Sequence, residues 1–335
     1  MKLIHLNFLY CLLLAAVLIS CIFSCRQVNL EDTFGLSAQW ETASNSNNKS
    51  ETCCNLGVRS RVLLSSRFKN LAHLKTVVSI QYEKDYLKLD SNEYSESIVN
   101  LTYSNNGEKI VRSMSSGVSQ NDILNLQKAS YFTRTCFVLA HPIAIRKRGE
   151  LDDVYMLSRR KPAFFGPGDM SFYDFAEASF KNINTLNLAY QNARDSSEKG
   201  YINTFNHVTA QAIITSFFSE ELADFIADLH ERNNMAEITS GRFTSRQLLD
   251  SFNSPEDNYI DIINNEIGQR LGIKLREKYQ LNDETICTPD LLTAYLNDIQ
   301  SYYMWALEIG MDKFRSNDER IVKFSNKINA LLNRS

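Results

Sequence analysis

Between Tyr201 and Gly272 the chain reads as a helix, a second helix, a polar loop and a third helix. The third carries Asp261-Ile262-Ile263-Asn264-Asn265-Glu266-Ile267-Gly268. Residues three, four and seven apart share one helix face, so Asp261, Asn264, Asn265 and Gly268 form a polar stripe ending in a residue without a side chain. Asp, Asn and Gly are poor interior helix formers, and four of them on one face cost the helix about 2 kcal/mol relative to alanine. Something outside the helix has to offset that loss. The two preceding helices bring Asn206-His207 and Leu229-His230-Glu231, so two of the chain's five histidines fall in this stretch.

Imidazole nitrogen, carboxylate oxygen and an open position for water are what a divalent metal takes in a helical bundle. His207, His230 and Asp261 are the candidate ligands, with zinc the ion that suits the set. Glu231 is then the base that takes a proton from bound water for attack on an ester or phosphodiester. In a metal-free alternative, His207 or His230 is itself the base, oriented by Asp261 or Glu231, while Asn264 or Asn265 polarises the scissile group. A third reading makes the same residues a buried hydrogen-bond network that fixes helix register, with Gly268 and Gly272 letting helices approach closely. The second histidine of H-E-x-x-H is missing, as is any G-x-S-x-G, so neither a zincin nor a serine hydrolase is indicated.

Asn-His, then Leu-His-Glu, then Asp-x-x-Asn-Asn-x-x-Gly resembles a bacterial family of uncharacterised helical domains. The usual form of that family reads Arg-His-Ala, Ala-His-Glu and Met-Asp-x-His-Asn-Asn-x-x-Gly. The resemblance covers roughly residues 172–281 and implies a helical fold; the family brings no settled function. This chain departs from it at Asn206, Leu229 and Ile263, the last where a histidine often stands.

At the N-terminus Lys2 precedes an apolar run from Phe8 to Ile19, too short for a membrane span and suited to a signal peptide over residues 1–20. Leu18-Ile19-Ser20-Cys21 resembles a bacterial lipobox, which makes Cys21 the lipidated residue; Cys25 is the second candidate. The expected location is the bacterial cell envelope, lipid-anchored to a membrane, or, without lipidation, a secreted protein. Net charge is -3, and the basic clusters Arg146-Lys147-Arg148 and Arg159-Arg160-Lys161 are short, which argues against nucleic acid as a partner. Export permits disulfides, with Cys53 or Cys54 linked to Cys136 or Cys287, but the spacing selects no pairing.

Residues 21–60 read as a polar tether with the run Ser44-Asn45-Ser46-Asn47-Asn48-Lys49-Ser50. Residues 61–165 read as a smaller mixed α+β region: Leu74 to Tyr82 and Ser97 to Tyr103 suit strands, Asn105-Asn106-Gly107 a hairpin turn, residues 121–130 a helix, and Tyr131 to Leu139 a strand or a buried helix. Pro162 and Gly166-Pro167-Gly168 mark a boundary. Residues 166–335 read as a helical bundle, so the fold class is mainly α. Expected helices run from Phe172 to Arg194 behind a Ser171/Asp174 capping box, from Ser219 to His230, from Thr288-Pro289-Asp290 to Ile309, and from Asn317 to Leu332. Two functional classes follow, a metal-dependent envelope hydrolase and a non-catalytic surface lipoprotein whose helical domain binds a partner.

Overall fold

The computed structural model describes residues 56–84, 97–126, 128–185, 189–197, 199–250 and 254–332. The signal peptide, Cys21, Cys25, Cys53, Cys54 and most of the tether lie outside them. The fold is mainly helical, with one small antiparallel sheet ahead of the helical C-terminal region.

In the larger unit, helix α1 (Leu71–Leu74) leads into β1 (Val78–Lys84), β2 (Ser97–Asn105) and β3 (Glu108–Met114), paired in that order. Between β2 and β3, Asn106 and Gly107 take φ of 51° and 77°, the left-handed pair that a two-residue hairpin turn requires. Alternation along β2 buries Val99, Leu101 and Tyr103. Helix α2 (Gln120–Leu126) closes this region. Residues 128–146 form a separate unit of two helices, α3 (Tyr131–Ala140) and α4 (Pro142–Arg146). Ser130 caps α3 by accepting from the Thr133 amide. A helix was one of the two expectations there, but none of its residues is buried.

The chain re-enters the larger unit through α5 (Arg148–Leu157) and α6 (Pro162–Phe165). Helix α7 (Phe172–Lys181) starts at the expected capping box, Ser171 with Asp174. It stops well short of Arg194 because the backbone turns away to pair elsewhere: Ile183 bridges Met311, and the Asn184 amide donates to Gly310 O. The remaining main helices are α8 (Tyr201–Phe217), α9 (Glu220–Arg232), α10 (Ala236–Ser240), α11 (Ser245–Leu249), α12 (Pro255–Tyr279), α13 (Pro289–Leu307) and α14 (Glu319–Leu332). Thr288 caps α13 and Pro289 opens it, as the sequence leads one to expect. The apolar core runs without a break from Leu56 through the sheet to Leu331, and helices stand on both sides of the boundary expected at residues 165–166.

Helix α12 is the spine. Pro255 at its first position, Glu256 and Asp257 in the first turn and Arg276 and Lys278 in the last match its dipole. Sixteen of its 25 residues are buried, polar ones included. Gly268 and Gly272 bring it against α8: a Cβ on Gly268 would meet Val208 O at 2.7 Å, and one on Gly272 would meet Ala212 O at 2.6 Å. Tyrosines of α13 also pack against α8, with their hydroxyls paired. Tyr303 meets Thr209 Oγ1 at 2.9 Å and Tyr295 meets Ser216 Oγ at 2.8 Å.

An extended segment at residues 56–64 threads between these elements. Leu56, Val58, Ser60 and Val62 are buried while Gly57 and Arg59 face out, so the polar tether expected to reach residue 60 ends before residue 56. A period of two over so few residues is a weak signal; what holds the segment is distant. Tyr302 donates to Ser60 O at 2.6 Å, Tyr103 to Arg61 O at 3.0 Å and Thr204 Oγ1 to Leu63 O at 3.0 Å.

Candidate metal centre

His207 lies mid-way along α8, His230 and Glu231 close α9, and Asp261 and Asn265 sit one turn apart on α12. Close approach of α8 and α12 at the two glycines sets His207 against the α12 carboxylate and amide. Its Nδ1–H donates to Asn265 Oδ1 at 2.9 Å, and the Asn265 amide in turn donates to Glu231 Oε1 at 3.0 Å. The other ring nitrogen, Nε2, stands 3.3 Å from Asp261 Oδ2, and Asp261 Oδ1 accepts from Asn203 Nδ2 at 3.0 Å. The His230 ring lies 5.9 Å from the His207 ring between centroids, and its Nδ1–H donates to Gln120 Oε1 at 3.3 Å, leaving Nε2 as a lone pair.

One ligand atom each from His207, His230 and Glu231 falls within 4.8 Å of the others. The set that closes therefore differs from the expected one: Glu231 takes the place of Asp261, because Asp261 faces the opposite nitrogen of His207. For His207, the nitrogen on the Glu231 side is Nδ1, 3.8 Å from Oε1. A tetrahedral zinc with bonds of about 2.1 Å spaces its ligands by about 3.4 Å, so the group closes by side-chain rotation. A metal held at Nδ1 would leave the imidazole proton on Nε2, facing Asp261, and a carboxylate behind a ligating histidine fixes ring orientation and raises basicity.

Burial dominates the titration of these groups. It lowers His207, against the opposing hydrogen bond from Asn265. It raises Glu231 well above the ordinary carboxylate value, with Asp261 adding to the rise, and pushes Asp261 up to about 7. Asp257, one turn before Asp261, is likewise pushed up to about 7 by burial and by Asp261, and its Oδ1 has no hydrogen-bond partner. Near neutral pH the cluster thus holds protons where a cation would replace them.

Asn264 is not part of this site. Its carboxamide accepts from the Leu63 amide and donates to Leu63 O, both at 2.9 Å, which uses it up in clamping the 56–64 segment to α12. The catalytic role expected for it is replaced by a structural one. Gly268 lies at the α8 contact.

A second network adjoins the first and carries no motif in the sequence. Arg112 of β3 reaches Asp224 at 3.1 Å, Asp228 at 2.8 Å and Glu266 at 3.3 Å, and Arg232 also meets Asp228, at 2.9 Å. Burial works against the Arg112 charge, but the three carboxylates override it and raise its pKa. Burial pushes Glu266 up to about 7 in spite of Arg112. Between the two networks a cavity of about 10 Å³, lined by Arg112, Asp228, Glu231, Asn265 and Glu266 among others, has room for one water. The i, i+4 row Asp257-Asp261-Asn265 was a usable signal in the sequence; Arg112, alone on a strand, was not.

Cys287 is a buried free thiol, pushed up to about 12 by burial. Among the described residues no helix is long and apolar enough to cross a membrane. Comparison with known protein families, curated proteins and solved structures finds no match for this chain.

Proposed function

We propose that the chain is an exported, lipid-anchored protein of the bacterial cell envelope whose helical domain binds one zinc ion and hydrolyses ester or phosphodiester bonds. The observation that carries the proposal is the convergence of His207, His230 and Glu231 within 4.8 Å, with Asp261 behind His207. Three protein ligands leave a fourth position for water, the pattern of catalytic zinc sites, and the metal lowers the pKa of that water towards neutrality. His230 is exposed and so forms the solvent side of the centre, while the cavity beside Glu231 admits water alone. With Glu231 coordinated, Asn265 orients that ligand. The lipobox-like Leu18-Ile19-Ser20-Cys21 supports the envelope location.

Metal analysis of the purified full-length protein tests the centre. One equivalent of zinc is expected, lost in His207→Ala and Glu231→Gln with helical circular dichroism retained. Metal-free wild-type protein, after dialysis against excess zinc, leaves only the hydrogen-bond network. Zinc-dependent turnover of chromogenic esters and phosphodiesters tests the activity. Fatty-acid labelling tests the anchor: it should vanish in Cys21→Ser, and its persistence there together with its loss in Cys25→Ser would move the lipid.

A further inference from the structure

A cleft of about 380 Å³ opens at the start of α12, and it shares no lining residue with the cavity at Glu231. Three cations line it: Lys69 ahead of α1, and Arg194 and Lys199 ahead of α8. Asp250 and Glu256 are its acids. The Arg194 guanidinium donates to Ser66 O at 3.3 Å and Phe68 O at 2.8 Å. These carbonyls take up Nη2 alone, and neither Arg194 nor Lys69 has a carboxylate partner among the described residues. Lys199 is buried, with 7% of its side chain exposed; its Nζ donates to Ser254 Oγ at 2.5 Å and stands 3.6 Å from Glu256.

Three cations against two carboxylates leave the wall with one positive charge in excess, and a concave, partly apolar surface focuses that charge so that anions are favoured. A rim of different character completes the cleft. Leu248 and Leu249 line it at 59% and 84% exposed, and Leu71 joins them. Isolated exposed leucines are common, but Leu248 and Leu249 side by side, with the half-buried Leu71 in the same cleft, match a ligand with an apolar part next to its charge.

We propose that this cleft binds an anionic amphiphile, a phosphate or carboxylate head on an apolar chain. Lys69, Arg194 and Lys199 hold the head, and Leu71, Leu248 and Leu249 cover the chain. The inference does not rest on the metal centre, and zinc content is unchanged whichever way it turns out.

Calorimetric titration of the full-length protein in a non-ionic detergent tests it, with hexyl phosphate, hexanoate, hexanol and inorganic phosphate as ligands. Hexyl phosphate and hexanoate are expected to saturate one site at least tenfold more tightly than hexanol. Hexyl phosphate should also bind at least tenfold more tightly than inorganic phosphate, and weaken as salt is raised. Lys69→Gln removes a charge that holds nothing else in place and should weaken hexyl phosphate at least threefold. Leu249→Asn should do the same while leaving inorganic phosphate unaffected. Inorganic phosphate binding as tightly as hexyl phosphate would make this a site for free anions and overturn the amphiphile. Unchanged affinity in both Lys69→Gln and Leu249→Asn, or no saturable binding at all, would overturn the cleft as the site.

Discussion

Replacing Gly268 with alanine adds one methyl group where α8 and α12 touch. The new Cβ would lie 2.7 Å from Val208 O, 2.8 Å from Gln211 Cβ and 3.0 Å from Val208 Cα. Ordinary contact begins at 3.4 Å, so α8 has to withdraw by about 0.7 Å, and two of the three atoms are backbone that cannot rotate away. In an isolated helix Gly→Ala would stabilise by about 1 kcal/mol. Overpacking costs about 1–3 kcal/mol, and a backbone clash belongs at the upper end, so Gly268→Ala is expected to destabilise by about 2 kcal/mol net. With a urea m-value of about 3 kcal/mol/M the midpoint falls by roughly 0.7 M. His207 precedes Val208 on α8, so the same shift separates it from Asp261 and Asn265, and zinc should bind more weakly. A midpoint that rises, as helix propensity alone demands, would refute the close contact and with it the account of how α8 delivers His207.

Two further outcomes are expected. Asn264→Ala leaves the buried Leu63 amide without an acceptor and should cost about 2–3 kcal/mol in urea unfolding without changing zinc content; loss of zinc with stability intact would return Asn264 to the metal centre. Glu266 has a folded pKa of about 7, above its unfolded value, so its proton stabilises the fold fully at pH below about 4 and that contribution is lost as pH rises through 7. Glutamine imitates the protonated acid, so Glu266→Gln should gain on the wild type by up to about 1.4 kcal/mol per pH unit between pH 5 and 7 and then level off. A stability difference that stays flat from pH 5 to 8 would mean that the Arg112 cluster holds Glu266 ionised.

Local chemistry was legible in the sequence. The Ser171/Asp174 capping box, Thr288-Pro289 and Asn106-Gly107 each fix a few residues by their own bonding, and each appears where it was expected. Gathering His207, His230, Glu231, Asp261 and Asn265 as one candidate set was also within reach, since three successive helices carry them. Which of them share a centre was not. Asn264 and Asn265 stand about 100° apart on α12, and a stripe read from spacing has no means of telling that one meets Leu63, 201 positions earlier, while the other meets His207. Glu231 and Asp261 exchange expected places for a similar reason: both approach His207, and only the ring's orientation decides which nitrogen each faces. Segment 56–64 has the least local support of all, since its side-chain hydrogen-bond partners, among them Tyr103, Glu108, Thr204, Asn264 and Tyr302, lie 42 or more positions away.

That segment imposes a waiting time on synthesis. Ser60 leaves the ribosome 242 positions before Tyr302, and Leu63 leaves 201 before Asn264. At about 5–20 residues per second the interval is on the order of 10–50 s, during which the Leu63 amide lacks Asn264 and the Ser60 carbonyl lacks Tyr302. Chains truncated before α13 should therefore leave the Ser60 carbonyl without its buried donor and hold the segment more open to protease than the full-length chain does.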